Sequence, residues 1–266
     1  MNFISGKPED CISLPKLRDT LIRLEDTIIF ALIERAQFSV NDNIYKPGMY
    51  KYEQSNDFEV SFLEYFLSEV EKVHAKVRRY QSPDEYPFTE SLPKPIIPPL
   101  NYPQILKPNN ININKKIMNF YLENIVPSLC TPGDDQNYGS AATSDVECLQ
   151  ALSQRIHYGK FVAEAKFLDP KLQPKYIEYI KNRDVKAIEN LLTDKSVEEA
   201  LLRRLRRKAL IYGQDISENG EINLDNIQTT NQLKINIDVV VELYEKWVIP
   251  LTKEVEIEYL LARLDE

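Results

Sequence analysis

Glycine and histidine are scarce in this 266-residue sequence, and their scarcity argues against several classes of enzyme. Only seven glycines occur, and none stands in a G-x-G-x-x-G, G-x-x-x-x-G-K or G-x-S-x-G pattern. Those patterns carry the dinucleotide-binding turn, the phosphate-binding loop and the nucleophile elbow of serine hydrolases, so none of these chemistries is indicated. Two histidines, His74 and His157, are too few for a His-rich metal site. We therefore expect no metal.

The charge balance and the lack of long apolar runs limit the partners of this chain. Lys and Arg number 33 against 41 Asp and Glu, a net charge of −8, so no positive field attracts nucleic acid. No apolar run approaches the roughly 18 residues of a membrane span, and the first 30 residues lack a signal-peptide pattern. Three widely spaced cysteines, Cys11, Cys130 and Cys148, suit reduced thiols better than a disulfide framework. These features predict a cytoplasmic protein with no membrane partner.

Apolar residues recur at steps of three and four through most of the chain, which is the period of an amphipathic helix. No segment shows the strict alternation of a strand. The sequence therefore predicts an all-α fold, a multi-helix bundle in which 1–266 form a single domain. The predicted helices cover about 14–38, 58–80, 114–129, 144–167, 171–182, 184–192, 196–212 and 236–266.

Two segments interrupt the helical pattern. Eight prolines between 83 and 108 exclude a helix and predict an extended connector along the surface. Residues 217–235 are rich in Asn, Gln and Thr and are predicted to form a polar loop. Pro250 lies inside the last helix, where a bend is expected.

Arg155 and Lys166 are the first candidates for chemistry. They are eleven residues apart, which is three helical turns with only about 20° of drift, so both project from one face. Their Cα atoms are then about 16 Å apart, and two long side chains leaning inward can hold a small anion between them. Gly159 lies on the same stripe and is expected to leave room for that ligand. The alternative is a solvated basic stripe paired with Glu164.

Two pairs of residues four apart add acidic groups with simple structural explanations. Asp194 and Glu198 resemble a helix start, with Asp194 capping and Glu198 near the positive end of the helix dipole. Thr252 and Glu256 lie among apolar neighbours, where a Glu usually finds a partner or reaches solvent. Spacing alone does not decide between structural and functional roles for these four residues.

The remaining basic residues also have structural explanations. Arg18, on the flank of the first helix, is by default a partner for Glu25 or another acid. The basic run at 203–208 is interleaved with leucines and predicts a solvated helix face. Arg78 and Arg79 are predicted in the last turn of the second helix, where cations stabilise the dipole.

Taken together, several stretches resemble one known family, the eukaryotic (fungal) chorismate mutases of the all-helical class. The likeness covers nearly the whole chain, and its two long motifs are specific. The stretches are LRD at 17–19, LEDTIIF at 24–30, GS at 139–140, RIHYGKFVAEAKF at 155–167 and PLTKEVEIEYLL at 250–261.

The resemblance implies an isomerase that rearranges chorismate to prephenate without nucleophile, metal or redox cofactor. By position, Arg18 and Arg155 match the arginines that hold the two substrate carboxylates, and Thr252 helps to hold one of them. Lys166 and Glu256 match the pair that contacts the ether oxygen. Since Glu256 donates only when protonated, we expect burial and the substrate carboxylates to raise its pKa.

Two further acidic residues match the part of the family's site that binds the ring hydroxyl. Glu198 stands at the position of the hydroxyl-binding residue. Asp194 stands where fungal relatives commonly have Asn, and it is expected to contact the same hydroxyl.

The resemblance also implies regulation of a homodimer, with activation by L-tryptophan and inhibition by L-tyrosine. The effector site of the family lies between subunits, and Arg78 and Arg79 of one chain with Gly139 and Ser140 of the other occupy its positions. Asn236 stands where a Thr involved in switching is often found.

Two other functions remain open at this point. One is a non-catalytic helical module that dimerises and regulates. The other is a related helical enzyme that eliminates pyruvate from isochorismate, because a pocket for two carboxylates does not by itself choose the substrate.

Overall fold

The computed structural model describes residues 12–52, 60–214 and 233–264, and within these ranges the regular elements are all helical. The predicted all-α class is confirmed. No helix in these ranges is long and apolar enough to cross a membrane. The main helices are α1 (Leu14–Arg35), α2 (Phe62–Lys76), α3 (114–129), α4 (Tyr138–His157), α5 (Gly159–Phe167), α6 (Gln173–Lys181), α7 (Val185–Leu192), α8 (Lys195–Gly213) and α9 (237–262).

The first two long helices follow the predicted apolar spacing. In α1, Leu24, Ile28 and Leu32 point into the core, and the helix packs along α4. Helix α2 begins later than predicted, because Ser61 and Glu64 form a capping box in which each side chain satisfies the other residue's backbone N–H.

The predicted single helix over 144–167 is in fact two helices. Helix α4 begins at Tyr138, earlier than expected, and ends at His157; α5 begins at Gly159. At the break, the N–H of Phe161 bonds to the carbonyl of Tyr158 at 3.1 Å, a tighter turn than an α-helix has. Arg155 and Lys166 therefore lie on different helices.

Helices α3 and α9 each contain one π-helical turn, at Tyr121–Ile125 and Tyr244–Val248. In both, a proline follows the turn closely, and the wider turn accommodates the hydrogen bond that proline cannot make. The helical path of α9 thus continues past Pro250. Stacked rings of Phe120 and Trp247, 5.2 Å apart, join the two helices near these turns.

Residues 82–113 contain neither helix nor strand, and side chains of the helices fix them to the core. The buried carboxylate of Glu71 accepts the backbone N–H groups of Phe88 and Thr89 at 2.9 and 2.7 Å. Asn114 Nδ2 donates to the carbonyls of Tyr86 and Pro87. The predicted polar loop at 217–235 lies outside the described ranges, except for its last three residues.

The helices that matter for the site surround one volume. Helix α9 packs against α5 and α7, while α8 packs against α1 and the start of α9. Since α1 also packs on α4, side chains of five helices can reach a shared space.

Candidate active site

A cavity of about 350 Å³ opens between α1, α4, α5, α8 and α9, a volume within the range of small-ligand sites. Apolar side chains such as Leu17, Leu21 and Val162 form part of its wall. Residues that the sequence analysis assigned to a substrate site, although remote from one another along the chain, share this cavity. All seven line the cavity: Arg18, Arg155, Lys166, Asp194, Glu198, Thr252 and Glu256.

Arg155 is buried at the end of α4, with 4% of its surface exposed. Its Nη1 donates to Thr252 Oγ1 at 3.3 Å, and its guanidinium lies 5.9 Å from the centre of the Tyr244 ring. Its Nε is buried without a hydrogen-bond partner, and no carboxylate in the described ranges pairs with it. Buried charges are normally paired. This guanidinium is therefore prepared for an anionic ligand.

Arg18 lies at the cavity edge on α1 with an exposed side chain. Its expected partner Glu25 is bound elsewhere: Arg204 donates to it at 2.6 and 2.9 Å, and Lys208 lies 3.3 Å from it. The pairing of Arg18 with Glu25 is therefore wrong. Arg204 and Lys208 also hold α8 against α1. The prediction that the whole basic run at 203–208 is a solvated helix face is therefore wrong for these two residues.

Lys166 and Glu256 are neighbours in the wall of the cavity. The ammonium donates to the carbonyl of Leu192 at 2.7 Å and lies 3.8 Å from Glu256 Oε2. Glu164, the alternative partner for the basic stripe, is occupied by Arg263 and the Tyr259 hydroxyl. Lys166 is thus not paired with Glu164, and its side chain lines the cavity.

Burial raises the pKa of the Glu256 carboxyl above its ordinary value. The positive charges of Lys166, Arg155 and Lys253 act in the opposite direction, and the nearby Glu198 adds to the rise. Desolvation is the largest of these effects, so the neutral, hydrogen-donating form of this carboxyl persists to higher pH than it would for an exposed Glu.

Asp194 caps α8, as the structural explanation predicted. Its Oδ1 accepts from the backbone N–H groups of Ser196 and Val197 and from the Ser196 hydroxyl, which lowers the pKa of the carboxyl. Among the described residues all these bonds use Oδ1, and the side chain still lines the cavity. Capping and ligand contact are thus compatible.

Lys253 is a cavity residue that the sequence analysis missed. Its ammonium lies 2.8 Å from Glu198 Oε1, and both side chains line the cavity. Nothing in the spacing around Thr252 distinguishes Lys253 from the other lysines of the chain. Its role depends on the contact between α8 and α9, which a single sequence does not contain.

The expectation for Gly159 was wrong. A Cβ there would lie 2.9 Å from the backbone oxygen of Thr252 and 3.2 Å from Glu256 Cγ. The missing side chain makes room for α9 and leaves no space for a ligand. Gly159 thus brings Thr252 and Glu256 close to the break between α4 and α5.

The four predicted effector residues are not brought together within one chain. Arg78 follows α2 with a left-handed backbone and donates to the Pro98 carbonyl. The prediction that Arg78 and Arg79 lie in the last turn of this helix is therefore wrong, because α2 ends at Lys76. Arg79 contacts Glu85 and, at 2.8 Å, Gln150 of α4.

Gly139 and Ser140 are exposed in the first turn of α4. Gly139 precedes Gln150 by eleven residues, about 16 Å along a helix, so it lies well away from the Arg79 contact. Asn236, the position expected in switching, caps α9 by accepting the N–H of Asp238.

Comparison with known proteins gives a consistent result. Residues 137–257 match the family described as chorismate mutase type II. The chorismate mutase of Schizosaccharomyces pombe is 49% identical over 95% of this chain and 97% of its own length. The structure of the Candida albicans chorismate mutase in complex with L-Trp has a TM-score of 0.89 at 45% identity, covering 100% of this chain and 96% of that one. AtCM1 with tyrosine bound in its allosteric site has a TM-score of 0.81 at 45% identity, covering 95% and 97% of the two chains.

Proposed function

This chain belongs to the type II chorismate mutases, isomerases of aromatic amino acid biosynthesis that convert chorismate to prephenate, and on that premise we propose how its residues do so. The reaction is a unimolecular rearrangement in which an ether C–O bond breaks as a C–C bond forms. The observation that carries the proposal is a single cavity lined by two guanidinium groups, an ammonium and a buried carboxyl.

Arg18 and Arg155 bind the two carboxylates of chorismate. A planar guanidinium offers paired donors that match a carboxylate, and both groups lack a carboxylate partner among the described residues. Thr252, already 3.3 Å from Arg155, helps to hold the carboxylate at that end. Holding both carboxylates favours the folded conformer in which the reacting carbons meet.

Lys166 and Glu256 act on the ether oxygen. Negative charge builds on this oxygen as the C–O bond breaks, and a fixed ammonium stabilises it more in the transition state than in the ground state. The raised pKa of Glu256 supports a second, neutral donor on the same atom. One preorganised donor of this kind contributes about 3–4 kcal/mol, or two to three decades of rate.

Glu198 and Asp194 bind the ring hydroxyl. Lys253 lies 2.8 Å from Glu198 Oε1 and so holds that side chain at the cavity, where its carboxylate can accept a hydrogen bond from the ring hydroxyl. The side chain of Asp194 faces the same cavity while its Oδ1 caps α8.

The charge of the cavity also suits chorismate. Four cationic side chains line it (Arg18, Arg155, Lys166, Lys253) against three acidic ones (Asp194, Glu198, Glu256). If Glu256 is the protonated donor proposed above, the acidic charges fall to two and the excess is two positive charges. That excess matches a dianion.

We further propose a cytoplasmic homodimer that tryptophan activates and tyrosine inhibits. The related Candida albicans enzyme forms a complex with L-Trp, and AtCM1 binds tyrosine in an allosteric site. Arg78 and Arg79 lie far from Gly139 and Ser140 in one chain, as a site shared between two chains requires. The unpaired thiols of Cys130 and Cys148 fit a reducing compartment.

Product analysis tests the catalytic proposal. Purified protein incubated with chorismate should form prephenate at a rate far above the spontaneous rearrangement, and incubation with isochorismate should release no pyruvate. Absence of product from either substrate would favour a non-catalytic module, and pyruvate would favour the elimination reaction.

A further inference from the structure

The break between α4 and α5 lies between two of the proposed catalytic cations. Arg155 is three residues before Tyr158, the residue at the break, and Lys166 is eight residues after it. The relative position of the two cations therefore depends on how this break is held.

Helix α9 contacts one side of the break. Gly159 lies against the Thr252 backbone and the Glu256 side chain, so this side of the break faces the two cavity residues of α9. Two buried residues flank the break on another side: His157, two residues and about 200° round the helix from Arg155, and Lys160.

His157 is fully buried and bonds in two directions. Its Nδ1 donates to the carbonyl of Ser153 at 2.9 Å, and its Nε2 accepts the backbone N–H of Ile113 at 3.0 Å. An acceptor at Nε2 requires the neutral ring, and burial lowers the pKa of this imidazole to about 3. The second bond ties the break to the end of the connector.

Lys160 is 1% exposed and has no carboxylate partner within hydrogen-bonding distance in the described residues. Its ammonium donates to the carbonyl of Ile111 at 2.5 Å and lies 4.1 Å from the centre of the Tyr86 ring. That ring stacks on His157 at 4.3 Å. Burial lowers the pKa of Lys160 to about 7, while Glu258 acts in the opposite direction.

We propose that His157 and Lys160 are positioning residues for the rearrangement: by fixing the helix break to the connector at 111–113, they set where Lys166 lies relative to Arg155. This inference rests on the roles proposed above for those two cations. Neither His157 nor Lys160 lines the cavity.

The expected kinetic signature follows from the two roles. Arg155 binds a carboxylate in the ground state and in the transition state, whereas Lys166 acts on charge that develops only in the transition state. A shift of α5 against α4 should therefore lower kcat and leave KM nearly unchanged. Misplacement by about 1 Å can cost up to about 100-fold in rate.

Two substitutions of one residue separate this role from simple packing. His157→Gln can keep an acceptor near the position of Nε2 and so preserve the bond to Ile113. His157→Asn keeps a donor only near Nδ1, toward Ser153, and loses the bond to the connector. We expect kcat to fall about 10-fold in His157→Asn and less than about 3-fold in His157→Gln, with KM within about 3-fold in both.

A double-mutant cycle with Lys166→Met supplies the decisive reading. If His157 acts through Lys166, then His157→Asn should lower kcat less than about 2-fold once Lys166 is gone. A loss that stays about 10-fold in the Lys166→Met background would overturn the proposal, since it would show general damage. A Lys166→Met variant as active as the parent would instead overturn the proposed catalytic function.

Circular dichroism at the assay temperature verifies that each variant is folded, and Glu71→Gln is the matched control. It weakens the connector at Phe88 and Thr89, away from the break, and is expected to lower the unfolding temperature without changing kcat. If His157→Asn is unfolded, Lys160→Met takes its place in the same cycle. Loss of folding in both variants would give the pair a purely structural role and overturn the inference.

Discussion

The guanidinium of Arg155 is buried, and removing its charge from water is unfavourable. A buried guanidinium without a carboxylate partner costs stability in the empty enzyme, and its benefit comes only when a ligand anion is bound. We predict that Arg155→Met abolishes measurable catalysis and raises the unfolding temperature by about 2–4 °C, because Met keeps the apolar packing. Calorimetry of the ligand-free variant beside an activity assay checks both parts. A large drop in stability would show that Arg155 serves the fold instead.

Glu256 should give the rate its dependence on pH. Its pKa is raised by burial, and the active form is the protonated donor, so kcat should fall as pH rises through that raised value. In Glu256→Gln the amide donates at every pH, and the fall should disappear. Profiles of kcat between about pH 5 and 9 compare the two proteins. The same alkaline fall in both would assign it to another group, and Lys160 would be the first candidate.

Single sequences predict residue roles only as far as neighbours along the chain decide them. The capping by Asp194 was predictable because all its partners lie within three residues. The partner of Glu25 was not, since Arg204 is 179 residues away. Lys253 was missed for the same reason. The family resemblance supplied the site residues that periodicity alone could not separate from a solvated face.

At the scale of elements, the close approach of α9 to the helix break depends on Gly159. In Gly159→Ala the new Cβ meets a backbone oxygen, which cannot move without moving α9. We predict a loss of about 1–3 kcal/mol in the free energy of unfolding and a lower kcat, since Thr252 and Glu256 are displaced.

Gly139→Ala is the stability control for that substitution, because a Cβ at Gly139 meets nothing within 4 Å. Alanine is the better helix former, so this variant should be no less stable than the parent. Equal stability losses in the two variants would contradict the packing explanation.

The crossing of α1 and α4 is fixed by a buried ion pair. Arg35 Nε lies 2.6 Å from Asp145 Oδ1, both side chains are fully buried, and the hydroxyls of Tyr45 and Tyr121 also donate to this carboxylate. Removing one partner leaves an unpaired buried charge, so Asp145→Asn should lower the free energy of unfolding by about 3–5 kcal/mol.

The exposed pair of Glu242 and Lys246 offers a contrast in urea unfolding. Glu242→Gln is expected to change the free energy of unfolding by no more than about 0.5 kcal/mol, because both side chains of this pair are exposed and water solvates the charge that remains. If Asp145→Asn lowered the free energy of unfolding by no more than Glu242→Gln does, the buried pair would contribute little to stability.

Element boundaries depend partly on local chemistry and partly on tertiary contacts. The capping of α8 by Asp194 was predicted, whereas the equally local capping box of Ser61 and Glu64 was overlooked and the start of α2 was placed too early. The break at Tyr158 could not be read from the spacing, since the eleven residues from Arg155 to Lys166 fit three turns of one continuous helix equally well. Its anchors, Ile111 and Ile113, belong to a connector whose path the prolines did not specify.

For the whole molecule, the proposed effector site requires a dimer, because Arg79 and Gly139 lie apart within one chain. Sedimentation equilibrium should give twice the 31.0 kDa chain mass. Tryptophan should raise and tyrosine lower the initial rate, and Arg79→Ala should bring the ratio of rates with and without effector close to one. Arg206→Ala, which removes an exposed partner of Asp238, should keep the response. A monomer that responds fully to both amino acids would contradict a shared site.

In the proposed complex, one cavity holds a dianion between Arg18 and Arg155 with its ether oxygen against Lys166 and Glu256. A crystal structure with an unreactive analogue of the bicyclic transition state would reveal this binding mode. We predict one carboxylate on each guanidinium and the ether oxygen within hydrogen-bonding distance of both Lys166 Nζ and the Glu256 carboxyl. An analogue bound outside this cavity, or one whose ether oxygen faces away from Lys166, would rule out this binding mode.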